Sequence, residues 1–249
     1  MAHKTLIDGT AYAVKGGRDL IAGTGYAKKQ GKTLIDGTEH AISFGIPLST
    51  ITPGAILYLN ESGSPVQFYI AKHDYESGLN GAGRTLVVRK DCYDMRMFGY
   101  TNAYANSSLD SWLCNTYLKL LDADIQAAIG TTKFYYTPDS GNTTVTTLQR
   151  AVFQLSITEL GKTASYANTE GSALPIASTL KIAYFNGSVC IQWTRTPYMY
   201  ETLSVCYLGS GGGVSGDRCS HSYGYRPAFT LPGTLGLAQN ADGTYTLAA

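Results

Sequence analysis

Residues 4–45 repeat a single unit, and that repeat limits what the first part of the chain can become. Residues 4–17 read KTLIDGTAYAVKGG, residues 18–31 read RDLIAGTGYAKKQG, and residues 32–45 read KTLIDGTEHAISFG. The shared frame runs basic-x-Leu-Ile-x-Gly-Thr-x-(Tyr/His)-Ala and closes on Gly. A unit of 14 residues is too short to own a core. It must stack on its copies or on neighbouring subunits. Each unit sets a Gly-Thr between two short apolar steps, which predicts two strands around tight turns at Gly9, Gly23 and Gly37. The alternative for the same composition is a flexible Gly-rich tether.

After Pro47 the repeat stops and the pattern breaks into strand-sized pieces. Gly54–Leu59 and Val66–Ala71 flank the polar cluster Asn60–Pro65, and Arg84–Arg89 follows a Gly/Asn loop; together they predict an antiparallel meander. One stripe has helical spacing. Leu109, Trp112, Leu113, Tyr117, Leu120 and Leu121 follow an N-cap signal at Asn106-Ser107-Ser108, with Trp112 read as core. Asp122–Ile129 predicts a second short helix ending at Gly130. Residues 131–149 show no strong period. Val152–Ser156 predicts a strand, and Asn186-Gly187 between Leu180–Phe185 and Val189–Trp193 is a strong hairpin signal.

Charged residues are 15% of the chain and the net charge is +1, so no basic footprint for nucleic acid is present. The expected readings are no secretory signal and no membrane span. The five cysteines (Cys92, Cys114, Cys190, Cys206 and Cys219) lack zinc-site spacing. Free thiols in a reducing cytoplasm are the default, with a single bridge such as Cys206–Cys219 as the alternative. Nineteen tyrosines stand against two tryptophans. Tyr gives amphipathic contact area, and it also simply suits strands.

The C-terminal segment concentrates those tyrosines. It opens on Trp193-Thr-Arg195-Thr-Pro197 and closes on Gly224-Tyr-Arg226-Pro227-Ala228-Phe229. Between them the chain is rich in Tyr, Ser, Gly, Thr and Cys with few charges, as in antibody contact loops. A turn at Gly209–Gly213 would set Leu203–Leu208 beside Val214–Arg218, with Val205 and Val214 facing inward and their neighbours free to face a ligand. The expected ligand-binding residues are Tyr198, Tyr200, Glu201, Thr202, Ser204, Cys206, Tyr207, Ser215, Asp217, Arg218, Cys219, His221 and Tyr223. Trp193, Arg195 and Arg226 are expected to be scaffold anchors, the two arginines donating to backbone carbonyls.

These opening and closing motifs, with Leu109–Asn115 and Val152–Gly161 upstream, resemble the C-type-lectin-like domain of phage and gut-bacterial proteins. That fold is shared with formylglycine-generating enzymes and with the variable proteins of diversity-generating retroelements. The N-terminal unit resembles Leu-Ile-x-Gly-Thr-x-Tyr repeats of tail-associated proteins of bacteriophages and prophages. The resemblance implies an α+β, C-type-lectin-like (formylglycine-generating-enzyme-like) domain with antiparallel strands and one to two helices over residues 47–249. Its variable-type segment would be 193–229, preceded by a small β-rich attachment or oligomerisation region over 1–46. It further implies an adhesin at a phage tail tip. The product would be made in the bacterial cytoplasm, bind a host cell-surface protein or glycan, and join other tail proteins through its repeats as a homo-oligomer such as a trimer.

No Gly-x-Ser-x-Gly, His-Glu-x-x-His or P-loop occurs, so no enzyme is expected. His73-Asp74 and Asp91 with Asp94 read equally as surface charges. No Glu-Pro-Asn, Gln-Pro-Asp or Trp-Asn-Asp set marks a calcium-dependent sugar site. No metal or cofactor is therefore expected. A structural virion or surface decoration protein with a fixed face, and a formylglycine-generating-type enzyme, are the alternatives.

Overall fold

The structure, a computed structural model, describes residues 45–248 and four strands before them: Lys4–Ile7 (β1), Thr10–Ala13 (β2), Gln30–Ile35 (β3) and Thr38–Ser43 (β4). β1 pairs antiparallel with β2 up to Ile7↔Thr10, and β3 with β4 up to Ile35↔Thr38. The first repeat supplies one antiparallel pair, and the third, with Gln30 and Gly31 of the second, supplies the other. The turn positions Gly9, Gly23 and Gly37 lie outside the described residues.

The paired body starts with Ile46–Pro47 (β5), slightly ahead of the composition change. Ile56–Glu61 (β6) and Ser64–His73 (β7) form a hairpin around Ser62-Gly63, whose φ values of 53° and 75° suit a type I′ turn. The polar cluster Asn60–Pro65 is thus largely strand: Asn60 pairs with Pro65 and Glu61 with Ser64. The one-turn helix Ser77–Asn80 (α1) leads to Arg84–Arg89 (β8), antiparallel to β7.

Met95–Met97 (β9) precedes the helix Ser108–Asn115 (α2). Ser107 caps it, its hydroxyl accepting from Asp110 N at 3.0 Å. The predicted stripe does not continue as one helix. It leaves α-geometry at Thr116, and Tyr117–Leu120 forms a 3-10 turn. That tighter turn lets the buried Tyr117 hydroxyl donate to Glu61 Oε2 at 2.6 Å. Trp112 is half-buried in a cluster with Tyr93, Tyr117 and Tyr225, and Arg96 lies 4.6 Å over its ring. Ala123–Ala128 (α3) is the second short helix.

The Thr-rich stretch without period is a hairpin of Thr132–Tyr136 (β10) and Thr146–Arg150 (β11). Ala177–Leu180 (α4) then leads to Ala183–Phe185 (β12) and Ser188–Cys190 (β13), which turn at Asn186-Gly187, both at positive φ. Leu180 therefore ends a helix, and Trp193 belongs to the next strand, Gln192–Pro197 (β14). The chain finishes with Ser204–Leu208 (β15), Val214–Arg218 (β16), Ser222–Gly224 (β17), Ala228–Pro232 (β18), Gly236–Gln239 (β19) and Tyr245–Leu247 (β20).

Two sheets carry the body, in the orders β18-β8-β7-β6-β20-β19-β5 and β16-β15-β14-β17-β9. Neighbours are antiparallel except β20 with β6 and β14 with β17. The architecture is a mixed α+β fold, mostly antiparallel, with few and short helices. Phe68, Phe98, Phe134, Phe153, Trp193 and Phe229 are among its largest fully buried side chains.

Val152–Ser156 is not the expected strand. It is buried, but its backbone is divided between the sheets. Phe153 exchanges both hydrogen bonds with Ala228 of β18, while Leu155 O accepts from Arg195 N of β14. Serving two partners in different directions breaks the repeat that a ladder needs. The segment instead joins the sheets.

Candidate functional site

The segment of interest enters along β14, where every residue is buried and Arg195 completely so. A buried guanidinium must have its donors paired. Nε and Nη2 donate to Tyr135 O at 3.0 and 2.8 Å, and Nη1 donates to Gln154 O at 2.9 Å and Glu159 Oε2 at 2.6 Å. Glu159 also accepts from the Tyr75 hydroxyl and from Ser156 N. A second buried carboxylate, Glu170, lies 4.0 Å from Arg195 Nε and accepts from Thr196 Oγ1 at 2.7 Å and Thr137 N at 2.6 Å. Two carboxylates therefore share one guanidinium.

Burial pushes the Glu170 carboxyl above its ordinary value, outweighing Arg195 and the two donors. A raised folded value means that protonated Glu170 stabilises the fold. That contribution is complete below the unfolded carboxyl value and is lost as pH rises through the folded one. Glu170→Gln is neutral throughout, so the difference in urea midpoint, variant minus parent, should grow as pH rises from about 4 to 7. A flat or falling difference would contradict this assignment.

Arg226 holds the closing end. Its Nε donates to Gln192 Oε1 at 3.0 Å, Nη1 to Lys90 O at 3.3 Å, and Nη2 to Leu180 O. Trp193 is buried, and its indole N–H donates to Arg96 O at 2.9 Å.

Between these ends, residues 198–204 form a loop closed by Tyr198 N donating to Ser204 O. Asn102, itself buried, secures it. Asn102 Nδ2 donates to Tyr198 O and Glu201 O, its backbone N donates to Thr202 O, and its Oδ1 accepts from Ser140 N. Met199 is held on both sides, its N donating to Tyr166 O and its O accepting from Gly141 N. Asn102→Ala would strand three polar partners and should destabilise the fold by about 1–3 kcal/mol. Amide exchange should accelerate in 138–141 and 198–204 but not in β7 and β8; uniform protection would show that Asn102 is not the clip.

The expected contact residues fall into three groups. Tyr200, Glu201, Thr202, Ser215, Arg218 and His221 are exposed, Tyr200 by 70%. Tyr198, Tyr207, Asp217 and Tyr223 are half-buried. Ser204, Cys206 and Cys219 are buried, which corrects their expected exposure. The reason is the pleat. Tyr207 shares a face of β15 with its partners Trp193 and Ser215, so Cys206 points with Gly216 to the other face. Tyr198 covers that second face. A Cβ on Gly216 would come 2.3 Å from its ring, and the ring stacks on Tyr166 at 4.6 Å. Both faces are therefore covered at Cys206, and burial pushes its thiol up to about 12. Cys219 is covered differently: its backbone joins three segments, N donating to Leu203 O and O accepting from Phe98 N and Gly99 N.

On the Tyr207 face, Tyr223 packs on Trp193 at 4.7 Å and on Tyr207 at 5.4 Å. Asp217 Oδ2 accepts from the Tyr223 hydroxyl and lies 2.9 Å from His221 Nδ1. Burial opposes the Asp217 charge, but these hydrogen bonds outweigh it and lower its carboxyl below the ordinary value.

Further residues at this end carry no signal in the sequence. Tyr100, 79% exposed, and Leu203, 49% exposed, flank the Cys219 junction, placing them at the same end of the sheet as Tyr200, Arg218 and His221. Tyr166 supports Tyr198 from a loop, and Asn102 clips the loops together. No local motif marks these residues, because the loops that meet here are far apart in the chain. The acid–base candidate His73 is tied on both ring nitrogens, to Thr85 Oγ1 and Ile51 O. Among the described residues, no three His, Cys, Asp or Glu side chains gather as a metal site, and no helix is long and apolar enough to cross a membrane.

An α+β domain with two mostly antiparallel sheets, and with a clipped aromatic loop at one end, is the class that this geometry defines. Residues 82–233 match the family described as domain of unknown function DUF6273. That match spans more than half of the chain, from just before β8 to just after β18, and the chain belongs to this family. No curated protein and no solved structure matches it.

Proposed function

We propose that the protein is a binding protein, an adhesin whose contact surface is built by the loop 198–203 together with Tyr100, Arg218 and His221. The observation that carries this reading is a combination. Tyr200 and Tyr100 are large and mostly exposed, yet the backbone between Tyr198 and Ser204 is clipped by a buried Asn102. Exposed aromatic side chains on a pre-ordered loop lose little entropy on contact, which is the economy of a binding surface.

In this reading the body is a C-type-lectin-like domain and Pro197–Gly224 is its diversifiable stretch. The motifs at either end and the N-terminal repeats support a setting at a phage tail tip. The repeats would attach to tail proteins or to other copies, and the target would be a host surface protein or glycan. The chain would bind rather than catalyse.

The direct test uses the fluorescently labelled full chain on panels of intact bacterial cells. Saturable binding, displaced by unlabelled chain, is expected on a subset of strains. Binding that is non-saturable, or equal on every strain, would defeat the adhesin reading. A chain lacking residues 1–45 should still bind those cells but lose assembly with tail proteins. An adjacent reverse-transcriptase gene, with a near-copy of the segment that differs at adenines, would support diversification in particular.

A further inference from the structure

Cys92 and Cys190 are 98 residues apart in sequence, and their sulfurs are 3.5 Å apart. Cys92 follows β8, and its N–H donates to Tyr184 O of β12 at 2.8 Å. Cys190 ends β13, opposite Ala183. Gly224, the first residue of the closing Gly-Tyr-Arg-Pro motif, makes room for the pair. A Cβ there would sit 2.5 Å from Cys92 Sγ and 3.1 Å from Cys190 Sγ. Cys92 is buried and Cys190 half-buried, so a reagent would meet Cys190 first. Two of the other three sulfurs have different neighbours: Cys114 donates to Val152 O and Cys206 to Pro197 O.

The shared hydrogen bond with Cys92 holds the Cys190 thiol below its ordinary value, aided by Arg226 and opposed by burial. The same pairing, with burial, raises that of Cys92. Their roles are therefore unequal, with Cys190 the better attacking thiolate and Cys92 the resolving thiol.

We propose that Cys92 and Cys190 form a redox modification site, closing to a disulfide by exchange with a low-molecular-weight disulfide. The Cys190 thiolate attacks one sulfur of the small disulfide, forming a mixed disulfide and expelling one small thiolate, which takes up the proton that Cys190 released. Cys92 then loses its proton and attacks Cys190 Sγ, expelling the second small thiolate, which takes up that proton. Two protein thiols are oxidised to one disulfide, and one small disulfide is reduced to two thiols. The new bond staples the β12–β13 hairpin to the segment after β8. That hairpin presents Tyr184 and Val189, both more than 40% exposed and directly paired. Because the bridge would close a long loop, it should strongly constrain the unfolded chain.

The test equilibrates the reduced full chain in buffers of glutathione and glutathione disulfide, followed by alkylation, peptide mapping and thermal melting. The expected result is that Cys92 and Cys190 lose alkylation together and appear as one bridged peptide, while Cys114, Cys206 and Cys219 stay alkylated. The melting temperature should rise by roughly 5–15 °C. Cys190→Ser should abolish both the bridge and the rise. If that variant does not fold, mapping of the parent decides alone. Full alkylation of both residues in excess glutathione disulfide would overturn the proposal, as would arrest at a Cys190–glutathione adduct. A bridge without a rise in melting temperature would overturn the stapling.

Discussion

Arg195→Ala should lower the free energy of unfolding by about 3–5 kcal/mol. That is a large share of the roughly 5–15 kcal/mol that holds a domain together. The substitution removes the cation that Glu159 and Glu170 share, and leaves the Tyr135 and Gln154 carbonyls without their donor. It also empties space beside the Phe134 ring, 4.6 Å from the guanidinium carbon. Most of the loss comes from the uncompensated Glu159 charge, so Arg195→Met with Glu159→Gln should be more stable than Arg195→Ala alone. Urea unfolding of the parent, single and double variants measures both effects. A single variant within about 1 kcal/mol of the parent would show that the buried ion pair does not anchor this segment.

Much of the fold is visible in the sequence where a local rule decides the structure. Asn186-Gly187 marks a two-residue turn because both positions need positive φ, and both have it. Arg84–Arg89 is a strand with those same limits. Ser107 caps α2 because its hydroxyl meets the N–H three residues on. The failures arise where a distant partner decides. Val152–Ser156 has strand composition, but its backbone is split between Ala228 and Arg195, which lie on different sheets. The β10–β11 hairpin lacks a clear period because β11, Thr-Thr-Leu-Gln-Arg, has no buried residue to carry an alternation opposite β10.

The proposed contact surface is legible in part for the same reason. Tyr200, Arg218 and His221 lie in one segment whose composition marks them. Alternation along β15 could assign Tyr207 and Cys206 to opposite faces. It could not show that Tyr198 folds back over Gly216 and covers the second face, and so buries Cys206. Nor could it bring Tyr100 or Asn102 to the loop, since their meeting depends on Cys219 and on the path of the chain after β9.

Tyr100→Ala with Tyr200→Ala should weaken binding of the labelled chain to target cells by at least about 100-fold, the loss expected when two aromatic anchors are removed from an interface. Both side chains are mostly exposed, so the unfolding free energy should change by less than about 0.5 kcal/mol. Tyr198→Ala or Tyr207→Ala is a different experiment. Those rings pack on Tyr166 and on Trp193 and Tyr223, so their removal should also lower stability. Leu203→Asp offers an independent probe, because it places a charge between Thr202 and the Cys219 junction without touching either tyrosine. It too should reduce binding while leaving the urea midpoint in place. Cell binding and urea unfolding, measured on the same preparations, separate the two classes. If the Tyr100/Tyr200 variant binds like the parent while Tyr198→Ala and Tyr207→Ala lose binding in proportion to stability, the contact surface does not lie at this end of the sheet.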